Sequence, residues 1–306
     1  MNSIMTSDKL IEIFCSVDDF CQIFLPTYHQ QLLSSGKKHR VRSRSMSSSE
    51  ILTILIFFHH CQIRNFKHYY LHYVGVHLSK DFPSLVSYNR FIQWMPSEMI
   101  ILLNFVLSCC LGNTTGTYYI DSCPLKVSHN RRIPQHKTFD GIARSGKTSV
   151  GWFFGFKLHL VINHLGEIVA FFITPGNVSD INARLIQKLT KGLRGEIFGD
   201  KGYISKKVKT KLKEQGLELV TKIRKNMKPR LLPHSQEKKL QKRAVIECVI
   251  NALKNKAYVE HARHRSFVGM INNITAAIAA YHFFDQKPKV EFDIQNLQHK
   301  NQVAIQ

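Results

Sequence analysis

Apolar and polar positions in the first third of the chain recur with helical spacing. Residues 1–35 hold a modest amphipathic pattern. Ser47, with Glu50 three positions on, predicts a capping box that opens the apolar run Ile51–Phe58. A second helical stretch is expected over His68–Leu78. Pro83 and Ser84 precede a third, Leu85–Met95, whose Ser87, Tyr88, Asn89, Arg90 and Gln93 form a polar, hydrogen-bonding surface. Met99–Leu111 reads as a buried helix. It is broken by Asn104 and Ser108 and falls short of the roughly 20 residues a membrane span requires, so no membrane segment is expected. The acidic N-terminus, with Asp8, Glu12, Asp18 and Asp19, does not read as a signal peptide. Gly36–Ser45 is a basic linker or arm.

The texture changes near Thr114-Thr115-Gly116. Thr117-Tyr118-Tyr119-Ile120 suits a short strand, and it ends in Asp121. Residues 122–150 then form a long basic connection. Trp152–Asn163 and Glu167–Thr174 predict a hairpin around Gly166. Asp180 is placed to cap a helix running to Gly192. Gly195–Gly199 reads as a strand ending in Asp200, Ser205–Gln215 as a basic helix, and Leu217–Ile223 as a strand. Glu237–Ala257 and Ile271–Phe284 read as helices, and 285–306 as a loose tail. The order from residue 115 is that of a mixed α/β layer fold. The expected units are a separate helical region (1–113), an α/β domain (114–285) and a tail (286–306).

Composition sharpens this picture. Hydrophobic residues make up 44% and charged residues 21% of the 306, which excludes wholesale disorder. Seven cysteines, an odd number without repeated spacing, point to a reducing compartment rather than a disulfide scaffold. The 43 Lys and Arg against 21 Asp and Glu leave a net charge of +22, which seeks a polyanion.

In so basic a chain, three acids stand inside apolar segments: Asp121, Asp200 after Ile197-Phe198-Gly199, and Glu247 between Val245-Ile246 and Cys248-Val249-Ile250. Carboxylates brought together repel, and a divalent cation removes that cost. Three of them suit a magnesium pair that activates a water or hydroxyl for phosphoryl transfer. Each acid alone also fits a helix cap or a surface ion pair. Arg243, Glu247 and Lys254 fall on one helical face, which suits a metal ligand flanked by phosphate contacts or an exposed salt-bridged stripe.

Taken in order, Tyr119-Ile120-Asp121-Ser122, Gly155-Phe156-Lys157-Leu158-His159-Leu160, Thr174-Pro175-Gly176-Asn177-Val178-Ser179-Asp180, Gly199-Asp200-Lys201-Gly202-Tyr203 and Arg243-x3-Glu247-x6-Lys254 resemble the DDE transposases of bacterial insertion sequences. The resemblance covers roughly residues 115–285. It implies a ribonuclease-H-like mixed sheet with flanking helices, preceded by an all-helical DNA-binding region. It assigns Asp121, Asp200 and Glu247 as the catalytic, metal-binding triad for Mg2+, with Mn2+ as a substitute. Lys201 and Tyr203 would face DNA. Leu240 stands where many relatives have a tyrosine. The interval from Asp200 to Glu247 leaves no room for the β-rich insertion of some relatives.

Other polar groups yield weaker expectations. His59, His60, Cys61, His68 and His72 match no standard zinc spacing. Cys123 and Cys248 read as packing residues. The lysines from Lys206 to Lys213, together with Lys222, Arg224, Lys225, Lys228 and Arg230, suit a solvated face or phosphate contact. His261, Arg263, His264 and Arg265 are further phosphate candidates, and Asn89 and Arg90 are candidates for reading bases. The expected protein is a transposase. It binds terminal inverted repeats and target DNA, makes no membrane contact, and works as a homodimer or higher oligomer in a bacterial cytoplasm, at the nucleoid when bound to DNA. A nuclease or resolvase of the same fold, or a non-catalytic DNA-binding protein, are the alternatives.

Overall fold

The longest strand, β3 (Gly151–Asn163), is rich in aromatic and branched side chains, and both of its faces are buried from Phe153 onward. In the computed structural model, which describes residues 3–34, 44–224, 226–227, 231–260 and 264–291, this strand organises the sheet. Along one edge it pairs with β1 (Thr117–Ser128). Along the other it pairs in tandem with β2 (Arg144–Thr148) and β4 (Ile168–Pro175), and all three pairings are antiparallel. Beyond β1 lie β5 (Gly195–Gly199) and β6 (Leu217–Thr221), each parallel to its neighbour. The order β4/β2–β3–β1–β5–β6 is the expected ribonuclease-H-like mixed sheet.

Helices cover both faces. One face buries Tyr118, Ile120, Val161 and Ile197 under α6 (Ala183–Leu189) and α7 (Lys206–Glu214). The other buries Tyr119, Leu158, Leu160 and Phe198 under α8 (His234–Gln241), α9 (Ala244–Asn255) and α10 (Phe267–His282). The hairpin between β3 and β4 turns at Gly166, whose φ of +75° suits glycine. A Cβ there would also lie 1.8 Å from the Pro288 carbonyl oxygen. The start of the expected loose tail is in fact docked on this turn: the Val290 amide donates to the His164 carbonyl at 2.8 Å, and Tyr281 donates to the Gly166 carbonyl at 2.7 Å.

The N-terminal third forms α1 (Ser3–Ser34), α2 (Ser48–Phe58), α3 (Phe66–His68), a π-helical stretch Tyr69–Val74, α4 (Gly75–His77) and α5 (Tyr88–Phe105). The Ser47–Glu50 capping box is present in both directions. Two expectations are corrected. First, Leu85–Met95 and Met99–Leu111 are not two helices. Pro96 lies inside a single α5, which continues as a π-helix through Cys110. The joined Tyr88–Cys110 is long and apolar enough to cross a membrane, a length hidden when Pro96 is read as a break. Its Phe91, Ile101, Leu102 and Phe105 are buried, and its buried Glu98 receives Arg44 at 2.5 Å.

Second, the helical third is not a separate body. α10 is apolar on nearly every side, with Met270, Ile274 and all of Ala276–Tyr281 buried. A helix of that kind must be surrounded. It packs against α2 and α5 as well as α9, so one hydrophobic core runs from Leu10 to Val290. The change at residues 113/114 is therefore a change of secondary structure within a shared core. The basic arm over residues 35–43, Lys225, Lys228, Arg230, His261, Arg263 and residues 292–306 lie outside the described residues.

Candidate active site

Asp121 does not end its strand, as the sequence suggests; β1 continues to Ser128. The next elements are a 3-10 turn (Asn130–Gln135) and β2, so the expected long loop over 122–150 is largely structured. The significance of Asp121 lies in register. β1 and β5 pair in parallel only as far as Tyr119 opposite Phe198. Two residues beyond that pair stand Asp121 and Asp200. Side chains alternate along a strand and neighbouring strands lie about 4.8 Å apart, so both acids emerge at one level on the Tyr119–Phe198 face.

That face is covered by α8 and α9, which bring the third acid. The expected single helix Glu237–Ala257 is interrupted at Lys242–Arg243. Arg243 therefore sits at the N-cap of α9, one turn before Glu247. Its Nη1 donates to Asp121 Oδ2 at 3.1 Å, and its Nη2 donates to Glu247 Oε1. The guanidinium thus links the strand acid to the helix acid. All three acids lie on one side of the core.

Burial pushes the Asp121 carboxyl above its ordinary range, and nearby Asp200 adds to this. The Ser122 amide, donating at 2.8 Å to Oδ1, and Arg243 act in the opposite direction. Asp121 is thus a largely buried acid with the Arg243 guanidinium as its counter-ion, while Asp200 and Glu247 are exposed. Among the described residues no three His, Cys, Asp or Glu side chains converge on one metal position, and Arg243 stands between two of the triad. The donors themselves suit a hard divalent cation, since all are carboxylate oxygens and two of them already grip a positive group.

Other expected site residues are placed differently from one another. Tyr203 was expected to face DNA, but it is 3% exposed, with a buried hydroxyl that has no hydrogen-bond partner among the described residues. Burial raises its pKa well above the ordinary value, reinforced by Asp121, Asp180 and Asp200. The 3-10 turn Lys201–Tyr203 turns it into the core beside Tyr118 and Ile120, on the α6/α7 face of the sheet, while Lys201 remains exposed. Arg243 was likewise expected at a phosphate and instead neutralises acids. Lys254 donates to the Pro124 carbonyl and pairs with Glu260, both at 2.9 Å, tying α9 to β1. Asn89 and Arg90 are exposed at the N-terminus of α5, Arg265 is exposed, and Arg263 is outside the described residues. Of the α7 lysines, Lys206, Lys207 and Lys213 are exposed while Val208 and Leu212 bury the opposite stripe. Cys123 is buried as expected, but Cys248 is exposed. In the His-rich segment, His59 contacts the Ala257 carbonyl and His60 packs on Phe284.

One cluster was missed as a set. Asp180 does not cap a helix; α6 is capped by Asn182, whose side-chain oxygen accepts from the Arg184 and Leu185 amides. Asp180 Oδ1 instead accepts from Ser122 Oγ at 2.8 Å and Lys157 Nζ at 3.2 Å. His159 Nδ1 lies 3.8 Å from the same oxygen, and its Nε2 lies 2.9 Å from Thr174 Oγ1. Burial lowers the His159 pKa to about 4, outweighing Asp180, so at neutral pH this imidazole is an uncharged neighbour and not an ion-pair partner. The signal was available: Lys157 and His159 are alternate residues in an otherwise apolar strand, and so share one face.

A family model described as "Transposase DDE domain" matches residues 111–267, which contain all three acids. No curated protein matches. Among solved structures, the piggyBac transposase synaptic complex with hairpin DNA aligns over 96% of this chain and 77% of that one, at 11% identity and a TM-score of 0.47. The Mos1 strand transfer complex aligns over 84% of this chain and 86% of that one, at 12% identity and a TM-score of 0.21. With the family model spanning more than half of the sequence, this chain belongs to the DDE transposase domain family.

Proposed function

We propose that this DDE transposase acts on the ends of its own insertion sequence, binding the terminal inverted repeats, cutting there and joining the freed ends to target DNA. The observation that carries the reading is the link from Glu247 to Asp121 through Arg243, beside an Asp200 that follows β5 closely enough to act on Asp121. Asp121, Asp200 and Glu247 would hold Mg2+, or Mn2+ in its place. Such ions polarise the scissile phosphate and activate the attacking oxygen. In the first step water displaces the 3′-oxygen at the element's end, leaving a 3′-hydroxyl and a 5′-phosphate. In the second that 3′-hydroxyl displaces a 3′-oxygen of the target. One phosphodiester forms for each one broken, so joining needs no external energy source.

Exposed Lys201, Asn89, Arg90 and Arg265 are the proposed DNA contacts, together with Arg263. Lys254 would reach a phosphate only by leaving Glu260. Holding two element ends at once favours a homodimer or higher oligomer on DNA, at the nucleoid in a bacterial cytoplasm. The test is strand transfer with Mg2+ on repeat-ended DNA, with a gel shift in the absence of divalent metal. Asp121→Asn, Asp200→Asn and Glu247→Gln should each abolish cleavage and joining while binding persists. Full strand transfer by the Glu247→Gln protein would remove Glu247 from the triad. Cleavage without joining by the unaltered protein would make it a nuclease.

A further inference from the structure

Ser122 is bonded to both sides of β1. Its backbone amide donates to Asp121 Oδ1 at 2.8 Å on the α9 side of the sheet. Its hydroxyl donates to Asp180 Oδ1 at 2.8 Å on the opposite side. In β1 Ser122 pairs with His159, and Pro124 pairs with Lys157, so the polar side chains Ser122, His159 and Lys157 share a face that Asp121 does not.

Lys157 fixes the position of Asp180. It is 9% exposed, and its ammonium donates to both Asp180 oxygens, at 3.2 and 3.4 Å, and to the Val178 carbonyl at 3.0 Å. Taking an ammonium out of water costs several kcal/mol unless it is paired and hydrogen-bonded. The sequence places that costly group on the strand paired with β1, opposite Pro124 and two residues from the His159 that faces Ser122. Capping does not account for Asp180, because Asn182 caps α6. His159, uncharged and bound to Thr174, closes the flank of the pair.

We propose that Asp180, held by Lys157, is a positioning residue that acts through Ser122 to fix the Asp121 carboxylate for a divalent cation. The Asp180–Ser122 bond sets the orientation of the Ser122 residue. The Ser122 amide in turn occupies Oδ1 of Asp121 and leaves Oδ2, the oxygen that Arg243 now contacts, for a cation. Outer hydrogen bonds of this kind hold a ligand's rotamer and typically account for about 10–100-fold in metal affinity. The proposal rests on the reading of Asp121 as a metal ligand.

The test is a Mn2+ titration of the full chain, without DNA, followed by electron paramagnetic resonance, alongside thermal melting in EDTA. Ser122→Ala removes the hydroxyl link while leaving the amide and the Lys157–Asp180 pair in place. It should weaken Mn2+ binding about 10-fold or more. Asp180→Asn should do the same, and the double variant should be no weaker than the stronger single, since both cut one connection. Ser122→Thr, which keeps the hydroxyl, should restore affinity. Because Asp180→Asn leaves Lys157 buried and unpaired, Asp180→Asn/Lys157→Met serves if the single variant fails to fold. A merely structural cluster would lower the melting temperature and leave Mn2+ affinity untouched, and that result would overturn the proposal. The Asp121→Asn protein separates the two levels. If it loses Mn2+ while Ser122→Ala and Asp180→Asn bind normally, only the positioning role falls. If it binds Mn2+ normally, the ligand reading falls and the positioning role with it.

Discussion

Arg243→Met removes the guanidinium from between two triad acids while keeping the length of the side chain. The Asp121 arm is a charge-assisted hydrogen bond at 3.1 Å between side chains 17% and 24% exposed. Such bonds contribute about 1.5–3 kcal/mol. The Glu247 arm adds less, because Glu247 is 57% exposed and solvent screens the pair. One helical turn of separation gives about 0.3–0.5 kcal/mol there. The metal-free protein should lose about 2–3 kcal/mol in all, a fall of about 3–5 °C in melting temperature for a chain of this size. Mn2+ binding should move the other way. A cation entering between Asp121 and Glu247 must displace Arg243, and about 2 kcal/mol of competition corresponds to roughly 30-fold in affinity. Melting in EDTA and Mn2+ titration of the same preparation measure both effects. A variant that melts lower but binds Mn2+ no better than the parent would refute the idea that Arg243 occupies the cation's place.

Three further outcomes follow from the same structure. Burial holds the Asp121 pKa high, so its contribution to stability is fully present below the ordinary carboxyl range and is lost as pH rises through its own raised value. Asp121→Asn should therefore gain on the parent in EDTA as pH rises from the ordinary carboxyl range through that raised value, and a constant difference would rule out the buried-charge account. Burial lowers the His60 pKa to about 4, so its contribution is present above the ordinary value of about 6.5 and is lost as pH falls through about 4. His60→Leu should flatten the acid limb of the melting-temperature profile, and an unchanged limb would show that His60 does not hold it. Asn89→Ala/Arg90→Ala in the full chain should reduce the preference for element ends over random DNA in a gel shift while general affinity keeps its steep salt dependence; an unaltered preference would remove α5 from recognition.

The acids of the candidate site stand out in the sequence because their setting is unusual. A carboxylate after Tyr118-Tyr119-Ile120, or after Ile197-Phe198-Gly199, violates the binary pattern of a buried strand, and such violations concentrate at functional sites. The parallel pairing that sets Asp121 level with Asp200 was not legible, since register depends on partners distant in the chain. Asp180 was misread for the same reason. Before a helix, an Asp and an Asn two residues later are equivalent cap candidates by local rules, and only the buried ammonium of Lys157 decides between them.

The shared core across residue 113 was hidden for a different physical reason. Local patterning reports where helix gives way to strand, but cores are shared by whatever packs together. The run Met270–Tyr281 has too few polar positions to present a solvent face, and its alanines permit close approach on several sides. That pattern requires cover from more than the sheet. The cover comes from α2 and α5, the helix that carries Asn89 and Arg90, while α9, which also packs on α10, carries Glu247. The N-terminal helices are therefore fixed against the layer that supplies the third acid. An end-reading surface at the start of α5 would be joined to the helix of Glu247 through the packing of both helices on α10.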